Sequence, residues 1–161
     1  QWMATASFNM ITGRDGRTLR EKWQTEGVKT FLGIHSHGFP NLLMPSGPQS
    51  ASATTNFPRG IETGVNWCTA LLQYAWQHGI VRADPSLQAE QDWSAKVTKM
   101  YSAVLMRKAK SWFTGYNSNV PGHEHGRPRY LVYNGGAPKF VAEINEVVAK
   151  GYAGIDLTRG A

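Results

Sequence analysis

The 161-residue sequence contains a single cysteine, Cys68. One thiol excludes an intrachain disulfide framework and any Cys-x-x-Cys metal site. Long apolar runs are also missing. None approaches the ~18 residues that cross a bilayer, so no membrane span is expected. No signal-peptide pattern opens the chain, and with the lone thiol this reads as a reducing, cytoplasmic setting. Charge is sparse, at 17% of residues, with 17 basic against 11 acidic and a net charge of +6. The basic residues are scattered, and only Arg107–Lys110 approach a cluster, so no nucleic-acid partner is expected. Internal repeats, a Gly-x-Ser-x-Gly elbow, a phosphate-cradling Walker loop and a Gly-x-Gly-x-x-Gly fingerprint are all absent.

What is present is a globular composition, 41% hydrophobic and 11% aromatic, with helical periodicity. Ile61, Val65, Cys68, Leu71, Leu72, Ala75 and Trp76 recur at three- and four-residue spacing. They predict an amphipathic helix that starts at Pro58 under a cap from Thr55 or Asn56 and stops at Gly79. Cys68 falls on that stripe and reads as a buried, inert thiol. A second start signal at Asp84–Pro85 precedes a stripe of Leu87, Trp93, Val97, Met100, Tyr101, Val104 and Leu105. A third helix begins at Pro138, runs through Ile144, Val147 and Val148, and closes with Lys150 and Gly151. Strand character is expected at 29–34, 41–44 and 130–133, and the chain ends extended in "YAGIDL". Residues 1–27 read as a mixed apolar and Gly-punctuated stretch.

Chemistry-bearing residues are few. His35/His37 and His123/His125 have chelating spacing, but no third ligand stands at a defined distance, so no metal is expected. Asp92, Glu143 and Glu146 read as solvated helix faces. The stretch "FPNLLMPSGPQS" (39–50) runs apolar sequence into a Gly–Pro corner that is nearly free of side chains. Small residues follow, then a helix N-terminus whose free N–H groups favour an electron-rich group. A tight structural connection and an approach path for a flat ligand both satisfy that pattern. "SWFTG" (111–115) places Trp112 where an indole stacks on a planar ligand or plugs the core.

In order and spacing, "FPNLLMPSGPQS", "NFP", "IE", "VNW", "SWFTG", "NVPG", "RPR", "NGG" and "GYAGIDL" resemble the C-terminal part of flavin-dependent Baeyer–Villiger monooxygenases, over roughly residues 18–157. The resemblance implies a helix-rich α/β C-terminal portion of an FAD/NAD(P)-binding fold with two dinucleotide domains, incomplete as an isolated chain. Residues 1–27 would be a remnant of the connection from the NADP domain. Residues 28–161 would be the C-terminal part of the FAD domain, with a pocket loop at 45–57 and a mobile loop at 108–120.

The function so implied is FAD- and NADPH-dependent insertion of one oxygen atom of O2 beside a ketone carbonyl, giving an ester or lactone. The expected partners are the ketone, O2 and the missing N-terminal part of the same protein. By position, Gly47, Pro48, Gln49, Asn56, Phe57 and Trp112 would contact cofactor, while Ser50, Ser52, Ala53, Thr54 and Trp112 would line the substrate pocket. No catalytic residue falls within the chain, because the family's arginine lies upstream, and the fragment alone is expected to be inactive. A small non-enzymatic domain holding a hydrophobic ligand, or a basic nucleic-acid-binding module, are the rival readings.

Overall fold

A computed structural model describes residues 10–51, 56–110, 116–119, 121 and 132–160, with backbone only for Met106 and Arg107. Helix α1 (Leu19–Glu26) comes first, then α2 (Phe57–Gln77), strand β1 (Ile80–Pro85), α3 (Leu87–Ser102), a 3-10 turn (Leu105–Lys108), α4 (Ala137–Ala149) and strand β2 (Ile155–Arg159). Helices therefore dominate an α/β arrangement. β1 and β2 pair antiparallel, with Ala83 opposite Leu157 and Pro85 opposite Ile155, and an irregularity between Ile80 and Arg82. A two-stranded ribbon is marginal by itself. This one is anchored because Ala83 and Ile155 reach into the core.

Local sequence explains the helix ends. Asn56 accepts a hydrogen bond from the Arg59 N–H at 3.3 Å, and proline occupies the first turn of α2. Ser86, rather than Asp84–Pro85, caps α3 by accepting from Ala89 N. Asp84 and Pro85 instead finish β1. Gly136 opens α4 and Gly151, at a φ of 67°, follows its last turn. In α1 the Thr18 hydroxyl accepts from Glu21 N at 3.2 Å and the Glu21 carboxylate accepts from Thr18 N at 2.8 Å. That reciprocal pair makes a helix of a stretch whose polarity suggested irregular chain.

The main core joins α2, α3, α4 and the 31–34 turn. Trp67, Leu71 and Cys68 of α2 meet Trp93 and Val97 of α3, Phe140 and Ile144 of α4, and Tyr133 and Tyr152. The Trp67 indole N–H donates to the Ile144 carbonyl at 3.0 Å, fixing α2 against α4. A smaller cluster of Leu19, Trp23 and Phe39 seats α1.

Two expected strands do not form. Leu32 and Gly33 have φ of 59° and 70°, so the chain reverses at once and Phe31 makes only an isolated bridge to His35. Asn41, at a φ of 62°, likewise interrupts the 41–44 stretch. Its Met44 N–H reaches the Ile34 carbonyl alone, at 2.9 Å. Positive φ at several places breaks the extended geometry that a ladder requires. Of the strand expected at 130–133, Val132 and Tyr133 are described. Both are buried, and they lie in no strand.

Candidate functional site

The segment 45–51 is fixed from behind by backbone-to-backbone contact. A Cβ added to Gly47 would stand 2.5 Å from the Gly33 carbonyl oxygen, and one added to Gly33 would stand 2.5 Å from Ser50 N. The bare corner seen in the sequence is thus occupied first by the chain itself. Gly64 of α2 packs on the same segment, since a Cβ there would overlap the Pro45 carbonyl at 1.7 Å.

Gln49 completes the clamp. It adopts a φ of 66°, and its side chain is buried and turned inward. Its Oε1 accepts from Thr30 N at 3.0 Å, Thr30 Oγ1 at 2.9 Å and Ser94 Oγ at 3.1 Å, and its Nε2 donates to the Val28 carbonyl at 3.3 Å. The Trp93 indole donates to the Gln49 carbonyl at 3.3 Å, and Tyr133 N donates to the Ser50 carbonyl at 3.0 Å. A buried amide with this many partners rigidifies a loop that has no regular structure of its own.

In front of the clamped loop lies a cleft of about 520 Å³. Pro45, Ser50 and Ala51 form one wall, while Arg59, Gly60 and Thr63 come from the first turns of α2 and Ala137, Pro138, Phe140 and Val141 from the first turns of α4. Two helix N-termini therefore share one cleft, where the aligned peptide dipoles carry partial positive charge although Asn56 already accepts from the Arg59 N–H. Arg59 is exposed and adds a formal cation. The walls are otherwise small or apolar.

Of the residues expected at the site, Ser50 lies in the cleft, buried with Ala51 beside it. Asn56 caps the helix whose first turn lines the cleft, and Phe57 begins that helix with 55% of its surface exposed. Gly47, Pro48 and Gln49 are not among the lining residues, and the Gln49 amide is spent on Val28, Thr30 and Ser94. Ser52, Ala53, Thr54 and Trp112 lie outside the described residues. Sequence reading missed the contribution of α4 and of Arg59 and Thr63. The available signal was that Pro58 and Pro138 both mark helix starts, but periodicity does not say that two starts converge.

The histidine pair separates. His37 donates from Nδ1 to the Pro85 carbonyl at 2.8 Å. His35 is fully buried, edge-on to Trp67 with ring centroids 5.6 Å apart, and neither ring nitrogen has a hydrogen-bond partner. Burial holds its pKa down at about 4. His123 and His125 lie outside the described residues. No cluster of three His, Cys, Asp or Glu suited to a metal exists among the described residues. Cys68 is buried, and burial pushes its thiol up to about 11, so it stays protonated and unreactive. No helix is long and apolar enough to cross a membrane among the described residues.

The sequence reading overlooked a second polar centre. Lys22 Nζ lies 2.8 Å from each Glu90 carboxylate oxygen and also donates to Ser36 Oγ at 3.1 Å and the His37 carbonyl at 2.8 Å. Glu90 further accepts from Ser36 Oγ at 2.9 Å and His37 N at 2.8 Å. Both charges are buried. With every donor and acceptor satisfied, this node joins α1, the 36–37 turn and α3 as structure, with no group left over for chemistry.

No family model matches the chain. The chain is 33% identical over 159 residues to a cyclopentanone 1,2-monooxygenase of Comamonas sp. (strain NCIMB 9872), which covers 93% of this chain and 28% of the relative. It is 30% identical over 151 residues to a Baeyer–Villiger monooxygenase of Pseudooceanicola batsensis, covering 94% and 26%. Among solved structures, cyclohexanone monooxygenase from Rhodococcus sp. Phi1 bound to NADP+ superposes with a TM-score of 0.82 at 32% identity, covering 92% of this chain and 27% of that one. OTEMO in complex with FAD and NADP gives 0.79 at 26% identity, covering 91% and 26%. The chain thus spans little more than a quarter of the length of the relatives it matches.

Proposed function

We propose, from the premise that this chain is a partial Baeyer–Villiger monooxygenase, that it forms one wall of the flavin and substrate pocket of an enzyme that uses FAD, NADPH and O2 to insert oxygen beside a ketone carbonyl. The observation that carries this reading is the superposition on the NADP+-bound cyclohexanone monooxygenase along 92% of the chain. The chain would be the C-terminal part, 28–161 belonging to the FAD domain.

The cleft fits such a role on one side. Ser50 and Ala51 are small enough for a flat ring to lie close, and the starts of α2 and α4 favour its electron-rich edge. FAD would supply the oxygen-transfer chemistry when bound. This chain's own residues position and exclude. The Gln49 clamp and the Gly33–Gly47 contact hold the wall still, so that Gly47, Pro48 and Gln49 would serve the cofactor by fixing the position of the loop. Asn56 and Phe57 stand at the start of α2 on the same side. Phe140 and Val141 keep water from the apolar end of the cleft. By resemblance alone, Ser52, Ala53 and Thr54 would border the substrate and Trp112 would contact NADP and substrate.

The Ser50 and Thr63 hydroxyls line the cleft without a His, Cys, Asp, Glu or Lys beside them among its described lining residues. No activated nucleophile or proton shuttle therefore stands there, which fits a supporting part. The test is a chimera in which this chain replaces the matched quarter of the Comamonas cyclopentanone monooxygenase. The chimera is expected to retain FAD and to oxidise NADPH when a cyclic ketone is added, while the isolated chain stays colourless and inactive. A folded chimera without flavin, or a yellow isolated chain that oxidises NADPH, overturns the reading.

A further inference from the structure

Among the described residues, the apolar surface of α2 is wider than what is packed against it. At 100° per residue, Trp67, Leu71, Gly64 and Cys68 occupy one sector, and all four are buried. Ile61, Val65, Leu72 and Trp76 occupy the adjoining sector, with no charged residue among them. Val65 is 43% exposed, Leu72 59% and Trp76 86%. The polar face, with Arg59, Glu62, Asn66, Gln73 and Gln77, lies further round. A surface helix normally hides its whole apolar stripe, and a contiguous exposed patch marks an interface.

We propose that the Val65–Leu72–Trp76 face of α2 is the docking surface for the remaining three-quarters of the same monooxygenase, the part that this chain lacks. This rests on the functional reading above. The occupant follows from lengths already given: relatives that share this fold along more than 90% of the chain carry it as 26–28% of a longer polypeptide. An apolar face lacking charge is the kind that a permanent interface covers, because buried obligate contacts resemble a divided core. The cleft lies at the N-terminal end of the same helix, with Arg59, Gly60 and Thr63 on its wall. Docking along Val65, Leu72 and Trp76 would therefore also set how far that wall stands from whatever completes the pocket.

Hydroxyl-radical oxidation of Trp76 tests the proposal. In the isolated chain, monomeric by sedimentation, Trp76 is expected to oxidise fast. In the chimera described above it is expected to be protected, whether or not flavin is retained. Protection without flavin leaves the interface standing while the functional reading fails. Flavin retained with Trp76 oxidised as fast as in the isolated chain sinks the interface alone. An isolated chain that is already a dimer, protected at Trp76 and dissociated by Leu72→Asp, assigns the face to a second copy and overturns the proposal. If the chimera does not accumulate, the chain and the remainder are expressed as separate polypeptides. Leu72→Asp combined with Trp76→Asp should then weaken capture by roughly tenfold or more, with Asn66→Asp on the polar face as the control. No capture, or equal capture, overturns it.

Discussion

The two flanks of α2 show opposite degrees of completion. On one flank, Gly64 admits the Pro45 carbonyl, Trp67 donates to Ile144, and Leu71 is 2% exposed. On the other, Leu72, next to Leu71 in the chain, and Trp76 stand in solvent. The Lys22–Glu90 node belongs with the finished side, since its charges find every partner inside the chain. The difference teaches that the sequence encodes a fold held by its own contacts and, on the same helix, a surface written for something else. It also separates two uses of glycine and small residues. Gly33, Gly47 and Gly64 serve close packing within the chain, whereas Ser50 and Ala51 keep a cleft open.

The largest expected effect breaks the finished side. Lys22→Met leaves the Glu90 carboxylate buried without its countercharge, and such a loss costs about 3–5 kcal/mol. The measurement is urea unfolding of the wild type and the variant at neutral pH. Lys22→Met combined with Glu90→Leu removes both charges and should recover much of the loss. A single-variant cost below about 1 kcal/mol, the range of an exposed pair, would mean that solvent reaches the node and that the contrast between the two sides is weaker than the geometry indicates.

A smaller effect sharpens the finished side at its exception. His35 is buried with both ring nitrogens unpartnered, and its folded pKa lies at about 4, below the ordinary 6.5. A depressed pKa means that the unfolded state binds the proton first as pH falls. The stabilising contribution is therefore present above about pH 6.5, declines through the window, and is gone below about pH 4. Between about pH 7 and pH 5 the chain should lose about 2 kcal/mol from this group. Denaturation at both pH values reads it, and His35→Leu should remove this step. A step unchanged in that variant would assign the acid sensitivity to other groups.

Legibility from sequence followed the range of the interaction. The spans of α2 and α4 were readable because their caps, prolines and periodicity are local. The extended stretch expected in "YAGIDL" (152–157) is a turn up to Gly154 and a strand from Ile155, where β2 begins. Helix α1 was missed although its Thr18–Glu21 box lies in plain sight, because the flanking Gly and basic residues drew the reading toward loop. The strands expected at 29–34 and 41–44 failed on backbone conformation: nothing in Leu32 announces a positive φ, and Asn41, a residue type that tolerates it, was read as part of the strand. At the site, the small residues of 45–51 were recognised, but the inward turn of Gln49 depends on partners 19 to 45 residues away and the arrival of α4 on one 77 away. The Lys22–Glu90 pair spans 68 positions and left no pattern at all.

The smallest expected effect is the sharpest test of the comparison. If the Leu72 flank is unfinished, substituting it should hardly matter to the isolated chain. Leu72 keeps 59% of its surface in solvent in the folded chain, against 2% for its neighbour Leu71. Leu72→Asp should therefore change unfolding stability by no more than about 0.5 kcal/mol, as surface changes do. Leu71→Ala removes a packed side chain and should cost about 2–5 kcal/mol. Denaturant unfolding of the two variants side by side measures the ratio. Adjacent leucines on one helix would then differ several-fold in cost for one reason: only one of them meets its partner within this chain. Equal costs would mean that the isolated chain already covers Leu72 in solution, and the two flanks of α2 would no longer be opposites.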